Sequence, residues 1–218
     1  MDLLRHNSSL TIRRSRILDT TETKAQHRFY LVDSKHMARS LLLMRHAKSD
    51  WSDAVLTDLA RPLNQRGRAS APIMAKWVVE NSLMPSLVLC SSANRTQQTL
   101  ELMMHYWTSM QHTISNLKMP EIQIDEGLYL ASDSLILSIV SDTPAIGDKQ
   151  RILILGHNPG MEILASKLSD IPIEMPTGAI ALLDSNSAED RWPDDWSSSQ
   201  FWKWRGLVKP RVLGRETI

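Results

Sequence analysis

From residue 38 onward the chain alternates short, unbroken apolar runs with stretches of helical spacing. Ser40-Leu-Leu-Leu-Met44, Leu87-Val-Leu-Cys90 and Arg151-Ile-Leu-Ile-Leu155 read as buried strands. Residues 65–82 carry helical periodicity through Ile73, Met74, Trp77 and Val78, and residues 132–142 carry it through Leu135, Ile136, Ile139 and Val140. Ser91-Ser92 predicts the cap of a helix running to about Met110. Asn158-Pro159 predicts the start of another, to about Leu168, with Asn as cap and Pro at the first helical position. Ile122 to Ile124, Gly178 to Leu183 and Phe201 to Val208 read as further strands. Residues 50–64 and 111–120 read as loops. The acidic, serine-rich stretch from Asp184 to Ser199 reads as a long exposed hairpin loop. Trp77 and Trp107 fall in helices as packing residues, and Trp202 and Trp204 alternate along one strand face. Strands alternating with helices predict an α/β fold, a three-layer α/β/α sandwich with a largely parallel central sheet.

Residues 1–37 break the pattern. Arg5, Arg13, Arg14 and Arg16 are scattered among Ser and Thr, interrupted by Asp2, Asp19, Glu22 and Asp33. Only Ile17-Leu18 follows Arg13-Arg14, which speaks against a secretory signal. Transit peptides to organelles are poor in acids, so a loose extension is the preferred reading and organellar targeting the lesser one. Residues 38–218 are then one domain, with Met37 as a candidate natural start. A chain of 218 residues suits one core plus an appendage.

Lys and Arg number 25 against 24 Asp and Glu, a near-balance that argues against a nucleic-acid binder held by bulk positive charge. One cysteine excludes an intrachain disulfide. No apolar run approaches the roughly 18 residues of a membrane-spanning helix. These features predict a cytoplasmic protein with neither a nucleic-acid nor a membrane partner.

In a parallel sheet, ligands sit beyond the carboxyl ends of the strands. Three apolar runs end there in reactive residues. The first ends in Arg45-His46. The second ends in Ser91-Ser92, with Arg95 in the next helical turn, and the third ends in Gly156-His157-Asn158-Pro159-Gly160. If these strands are neighbours, two arginines, two histidines and two helix amino-ends converge on one edge. That arrangement suits a phosphoryl group. A turn alone accounts for Gly156, Asn158 and Pro159, but not for His157.

Leu43-Met-Arg-His-Ala-Lys-Ser49 resembles the Arg-His signature of the histidine phosphatase superfamily, which has the phosphoglycerate mutase-like fold. Asp58-Leu-Ala-Arg61-Pro-Leu-Asn-Gln-Arg66-Gly67, Cys90-Ser-Ser-Ala-Asn-Arg95, Gly156 to Gly160 and Met175-Pro-Thr-Gly-Ala179 are similar to its SixA-type phosphohistidine phosphatases. The similarity runs from about residue 39 to 213. It implies that His46 is the nucleophile, that Arg45, Arg95 and His157 bind the phosphoryl oxygens, and that Arg61 is a further phosphate ligand. Lys48 and Asn158 join Arg61 as substrate-binding candidates. For the proton donor, Asp58 is the first choice and Glu126 the second. For any single one of these acids, a solvated loop carboxylate is the default reading. The implied substrate is a phosphorylated protein or a small phosphorylated molecule, with no cofactor and no metal.

Competing chemistries fit less well. A cysteine phosphatase needs five residues between Cys and Arg, whereas four separate Cys90 from Arg95. No His-Glu-x-x-His zinc motif and no Gly-x-x-x-x-Gly-Lys-Ser/Thr phosphate loop is present. His105 and His112 read as helix-surface and loop residues. Two classes remain: a metal-independent phosphatase working through phospho-His46, and a non-catalytic binder of phosphorylated ligands on the same fold.

Overall fold

Leu41, Leu42, Leu43 and Met44 are all fully buried because β1 (Ser40–Arg45) lies inside a sheet covered on both faces. The computed structural model describes residues 39–186 and 191–213. The described residues form a six-stranded sheet completed by β2 (Leu87–Ser91), β3 (Glu121–Asp125), β4 (Arg151–Gly156), β5 (Ile180–Ser185) and β6 (Trp202–Val208), in the order β3-β2-β4-β1-β5-β6. The pairs β3–β2, β2–β4 and β4–β1 are parallel, and β5 alone opposes its neighbours. The sheet is therefore mostly parallel, as the apolar runs imply.

Residues along each strand alternate between two cores. Leu41, Leu43, Ile152, Ile154, Leu87 and Leu89 face α3 (Asp133–Asp142) and α4 (Gly160–Ser169). Leu42, Met44, Leu153, Leu155, Val88 and Cys90 face α1 (Gln65–Glu80) and α2 (Asn94–Met110). Burying one such side chain contributes roughly 1.5–3 kcal/mol, which explains why strands closed on both faces read as unbroken apolar runs. A short helix α5 (Pro210–Leu213) packs against α1. No helix among the described residues is long and apolar enough to cross a membrane. The extension at residues 1–37, including Met37, lies outside the described residues.

Four local expectations are corrected. Ser91 and Ser92 do not cap α2; Ala93 holds that position with no side-chain bond, because Ser91 still belongs to β2 and its hydroxyl meets His157. Asn158 does not cap α4, since its amide donates to Glu162 and to the Met175 carbonyl, and Pro159 is itself the cap residue. β5 begins at Ile180, not Gly178. Gly178 has φ +79° and turns the chain so that its N–H reaches the carbonyls of Arg45 and His46, a conformation costly for any residue with a Cβ.

The fourth correction concerns the 184–199 stretch, which is a hairpin connection but not a wholly exposed one. Asp184 and Ser185 extend β5, while Trp192 and Trp196 are buried in the core. Their rings stack 5.0 Å apart, and Trp202 of β6 joins them. The Trp192 indole N–H donates to the Ile146 and Lys149 carbonyls at 3.1 and 2.9 Å. Acid and serine content masked these two anchors. Trp192→Ala is expected to destabilise the fold by about 3–5 kcal/mol. A lowered urea midpoint with an unchanged slope checks this, and a shift under 1 kcal/mol (roughly a surface-site effect) would contradict it.

Candidate active site

The three strand ends meet. β1 and β4 pair Arg45 with Gly156, and β2 and β4 pair Cys90 with Leu155, so Arg45-His46, Ser91 and His157 emerge level at one sheet edge. The His46 N–H donates to the Gly156 carbonyl at 3.1 Å, locking the residue just past its strand. The His46 and His157 rings lie 5.1 Å apart. His46, Arg95 and His157 are each buried, at 7%, 4% and 2% exposure.

Hydrogen bonding sets the tautomers. His46 Nδ1 lies 2.7 Å from the Ala47 carbonyl oxygen, which can only accept, so Nδ1 carries the proton. That leaves the Nε2 lone pair free, where it accepts from Arg95 Nε at 3.2 Å. Arg95 is the hub of the site. It donates to the Asp58 carbonyl at 2.6 Å, the Asp58 carboxylate at 3.0 Å and His157 Nδ1 at 3.1 Å. With Nδ1 accepting, neutral His157 carries its proton on Nε2, 2.8 Å from Ser91 Oγ. Thr99 steadies the hub from behind, donating to the Arg95 carbonyl and accepting from the Ala47 N–H.

Burial, helped by the charges of Arg95 and Arg45, pushes the His46 imidazole down to about 4, against the Ala47 carbonyl and Asp58. Burial, then the His46 ring and Arg95, pushes His157 down to about 3. Both rings are therefore neutral at neutral pH. A bound anion favours protonation, and a proton on His157 Nδ1 would let it donate to a phosphoryl oxygen. Asp58 is held below its ordinary value: its partial burial is outweighed by the Tyr129 hydroxyl at 2.8 Å and by Arg95 and Arg61.

These shifts have a definite sign for stability. The unfolded chain protonates its histidines near 6.5, the native chain near 4 and 3. Their contribution is complete above pH 6.5 and is lost as pH falls from there toward 4 and 3. Each histidine is expected to remove on the order of 1.4 kcal/mol per pH unit in that window. Asp58 adds a loss only below its ordinary 3.8. Urea midpoints measured from pH 7 to pH 4.5 check this; a flat profile would be the contrary result.

Arg45 donates to the Met175 carbonyl at 2.8 Å, and its buried Nε has no hydrogen-bond partner. Burial lowers its pKa, and the Glu162 charge opposes that. Arg61 approaches Asp58 at 3.6 Å and lies over the Trp51 ring at 4.1 Å. Lys48 lines a groove shared with Arg45. Asn158 spends both amide protons on Glu162 and Met175. Glu126 is exposed at the start of a short 3₁₀ turn, Glu126–Leu128, whereas Asp58 is bonded to the hub arginine. His105 and His112 are exposed. Cys90 is buried, and burial pushes its thiol up to about 12, so it carries no thiolate at neutral pH. Among the described residues no group of three His, Cys, Asp or Glu side chains is placed to hold a metal ion.

Two contributors escaped sequence reasoning. Tyr129 bonds Asp58, packs edge-on against His157 and lies under Arg95. Its signal in the sequence is the Glu126-Gly-Leu-Tyr129 segment, which offers the glutamate as the more obvious acid. Ser91, read as a cap, is the partner of His157.

The strand ends bring two imidazoles and the Arg95 guanidinium together, with the Arg45 charge acting on His46, a setting suited to a phosphoryl group. Residues 41–126 match the model of the histidine phosphatase superfamily (branch 1). An uncharacterized chloroplastic protein of Arabidopsis thaliana is 33% identical over 201 residues, covering 88% of this chain and 87% of the relative. A structure from Nakamurella multipartitia, assigned as a phosphohistidine phosphatase SixA, superposes with TM-score 0.61 at 25% identity, over 79% of this chain and 96% of that one. A structure from Escherichia coli, assigned as an alpha-ribazole-5'-P phosphatase, shares the fold with TM-score 0.55 at 17% identity, over 79% and 97% of the two chains. This chain belongs to the histidine phosphatase superfamily, resembles its SixA-type members, and is in general activity a phosphatase.

Proposed function

We propose that the chain is a metal-independent phosphatase that hydrolyses phosphohistidine or small phosphomonoesters through a phosphoryl intermediate on His46. One observation carries the reading. His46 Nε2 keeps its lone pair, because Nδ1 is tied to the Ala47 carbonyl, and that lone pair points at Arg95 beside His157. In the first step Nε2 attacks phosphorus. The phosphorus–Nε2 bond forms as the bond to the leaving oxygen or nitrogen breaks, and the leaving group takes a proton. In the second step a water oxygen attacks phosphorus, the phosphorus–Nε2 bond breaks, and orthophosphate leaves. This splits one hard hydrolysis into two easier steps.

Arg45, Arg95 and His157 stabilise the charge that spreads over the equatorial oxygens. Each such donor contributes about 2.7–4 kcal/mol of barrier lowering. Asp58 is the proton carrier. An incoming anion favours its protonated form, which gives its proton to the leaving group, and the carboxylate so formed takes the proton of the attacking water. An imidazole leaving group asks less of a donor than an alkoxide does, which favours phosphohistidine. Arg61 and Lys48 contact substrate, and Asn158 acts by holding the Met175 segment that Arg45 also grips.

One observation favours the second reading, a non-catalytic binder of phosphorylated ligands. Arg95 spends four of its five N–H donors on protein partners, so an incoming phosphoryl group must exchange some of them to be held by its fork. Turnover decides between the two. A panel of phosphohistidine protein, sugar phosphates and aryl phosphate is expected to reveal hydrolysis with an acid-labile phosphoenzyme. Chelators are expected to leave the rate unchanged, whereas inhibition reversed by added metal would assign a different chemistry. For location, the sequence reading is cytoplasmic. The chloroplastic Arabidopsis relative supports an organelle as the second reading.

A further inference from the structure

A groove of about 820 Å³ runs beside the cradle, between α1, the 174–177 segment and α5. Five cations line it, Arg45, Lys48, Arg66, Lys209 and Arg211, against two acids, Glu162 and Glu174. Glu162 is already committed, accepting from Asn158 at 3.0 Å and from the Met175 N–H at 2.7 Å. Lys48, Arg66, Lys209 and Arg211 form no ion pair among the described residues. Arg66 also stands in the first turn of α1, which carries no acid, although a helix amino-end is already positive. Like charges gathered in one concavity repel one another, and two acids, Glu162 and Glu174, face five cations in this lining.

Arg45 connects this groove to the reacting centre. It precedes the nucleophile in the chain, its charge acts on His46, and its guanidinium lines the groove. Its Nε is buried without an acceptor, so part of its donor fork is unspent.

We propose that the groove binds a second anionic group of the substrate, a carboxylate or a further phosphoryl, on the same molecule whose first phosphoryl lies over His46. This rests on the phosphatase reading for the position of the first phosphoryl. The substrate class is thereby narrowed to phosphorylated molecules that are acidic at two points. Charge attraction in an open groove is screened by salt, so the selectivity is strongest at low ionic strength.

The test is a calorimetric titration of the full chain with matched pairs of non-hydrolysable probes. One member is a straight-chain alkylphosphonate; the other is the ω-carboxyalkylphosphonate of equal length. A series of chain lengths spans the groove, and α,ω-bisphosphonates distinguish a second phosphoryl from a carboxylate. At the best length the doubly acidic probe is expected to bind about tenfold tighter or more, with the advantage shrinking as salt is raised. In the combined Arg66→Gln, Lys209→Gln, Arg211→Gln variant the advantage is expected to fall below about threefold. The plain alkylphosphonate serves in each chain as the reference for fold and cradle. Equal affinities at every length, no measurable binding of the doubly acidic probe, or an advantage that the triple variant retains would overturn the proposal. Turnover of the corresponding phosphates, followed in parallel, separates the two ideas. Discrimination without turnover removes the enzyme and keeps the groove; turnover without discrimination does the reverse.

Discussion

His46→Ala is expected to abolish phosphatase turnover, by on the order of 10⁴-fold or more, while leaving the fold in place. The imidazole supplies the Nε2 lone pair that lies against Arg95, with the His157 ring 5.1 Å away. Its backbone bonds, from its N–H to the Gly156 carbonyl and to its own carbonyl from the Gly178 N–H, survive the substitution. The acid-labile phosphate label should disappear with the activity. Stability should also become less sensitive to acid, because one of the two depressed histidines is gone. Circular dichroism, a urea titration and a single-turnover assay make the measurement. A variant with near-normal turnover would exclude His46 as nucleophile.

Arg95→Ala is expected to lower kcat/KM by about 10²–10³-fold and to reduce stability as well. The fork of Arg95 holds His46 Nε2, His157 Nδ1 and both the carbonyl and carboxylate of Asp58. Without it, buried acceptors lose their donor at roughly 1–3 kcal/mol each. Arg95→Lys should not rescue the activity, since an ammonium cannot reproduce a planar fork. Activity of the lysine variant close to native would mean that charge alone suffices, and that the geometry around Arg95 is incidental. Comparing kcat/KM with the urea midpoint in both variants separates lost chemistry from lost structure.

The fold was legible because its central strands are closed on both faces, so their side chains are apolar without interruption and stand out from amphipathic helices. The same fact made the site legible. The first polar residues after each run, Arg45-His46, Ser91 and His157, mark the edge where the sheet meets solvent. What stayed hidden depends on contacts between segments distant in sequence. Tyr129 gains its place from Asp58, 71 residues away. The Asn158 amide is diverted from a local cap by Met175 and Glu162. Local propensity ranks asparagine as a good cap, but it cannot register a competing carboxylate brought in by the tertiary fold. The buried tryptophans of the β5–β6 connection were concealed by the polar residues around them. The resemblance alone ranked Asp58 before Glu126; the bond that sets Asp58 apart, to Arg95, spans 37 residues and was not legible in the sequence.

The stacked indoles of Trp192 and Trp196, with Trp202 against them, sit at the end of the sheet opposite the cradle, beside the carbonyls that precede β4. Trp51, by contrast, is 64% exposed on the segment that carries Asp58, with Arg61 over its ring. The seven tryptophans thus include two sets of optical reporters with separate fields of view. Near-ultraviolet dichroism from the stacked set follows the integrity of the hairpin, while quenching of Trp51 emission follows what arrives at Arg61. Folding and ligand arrival can be recorded from the same unlabelled sample.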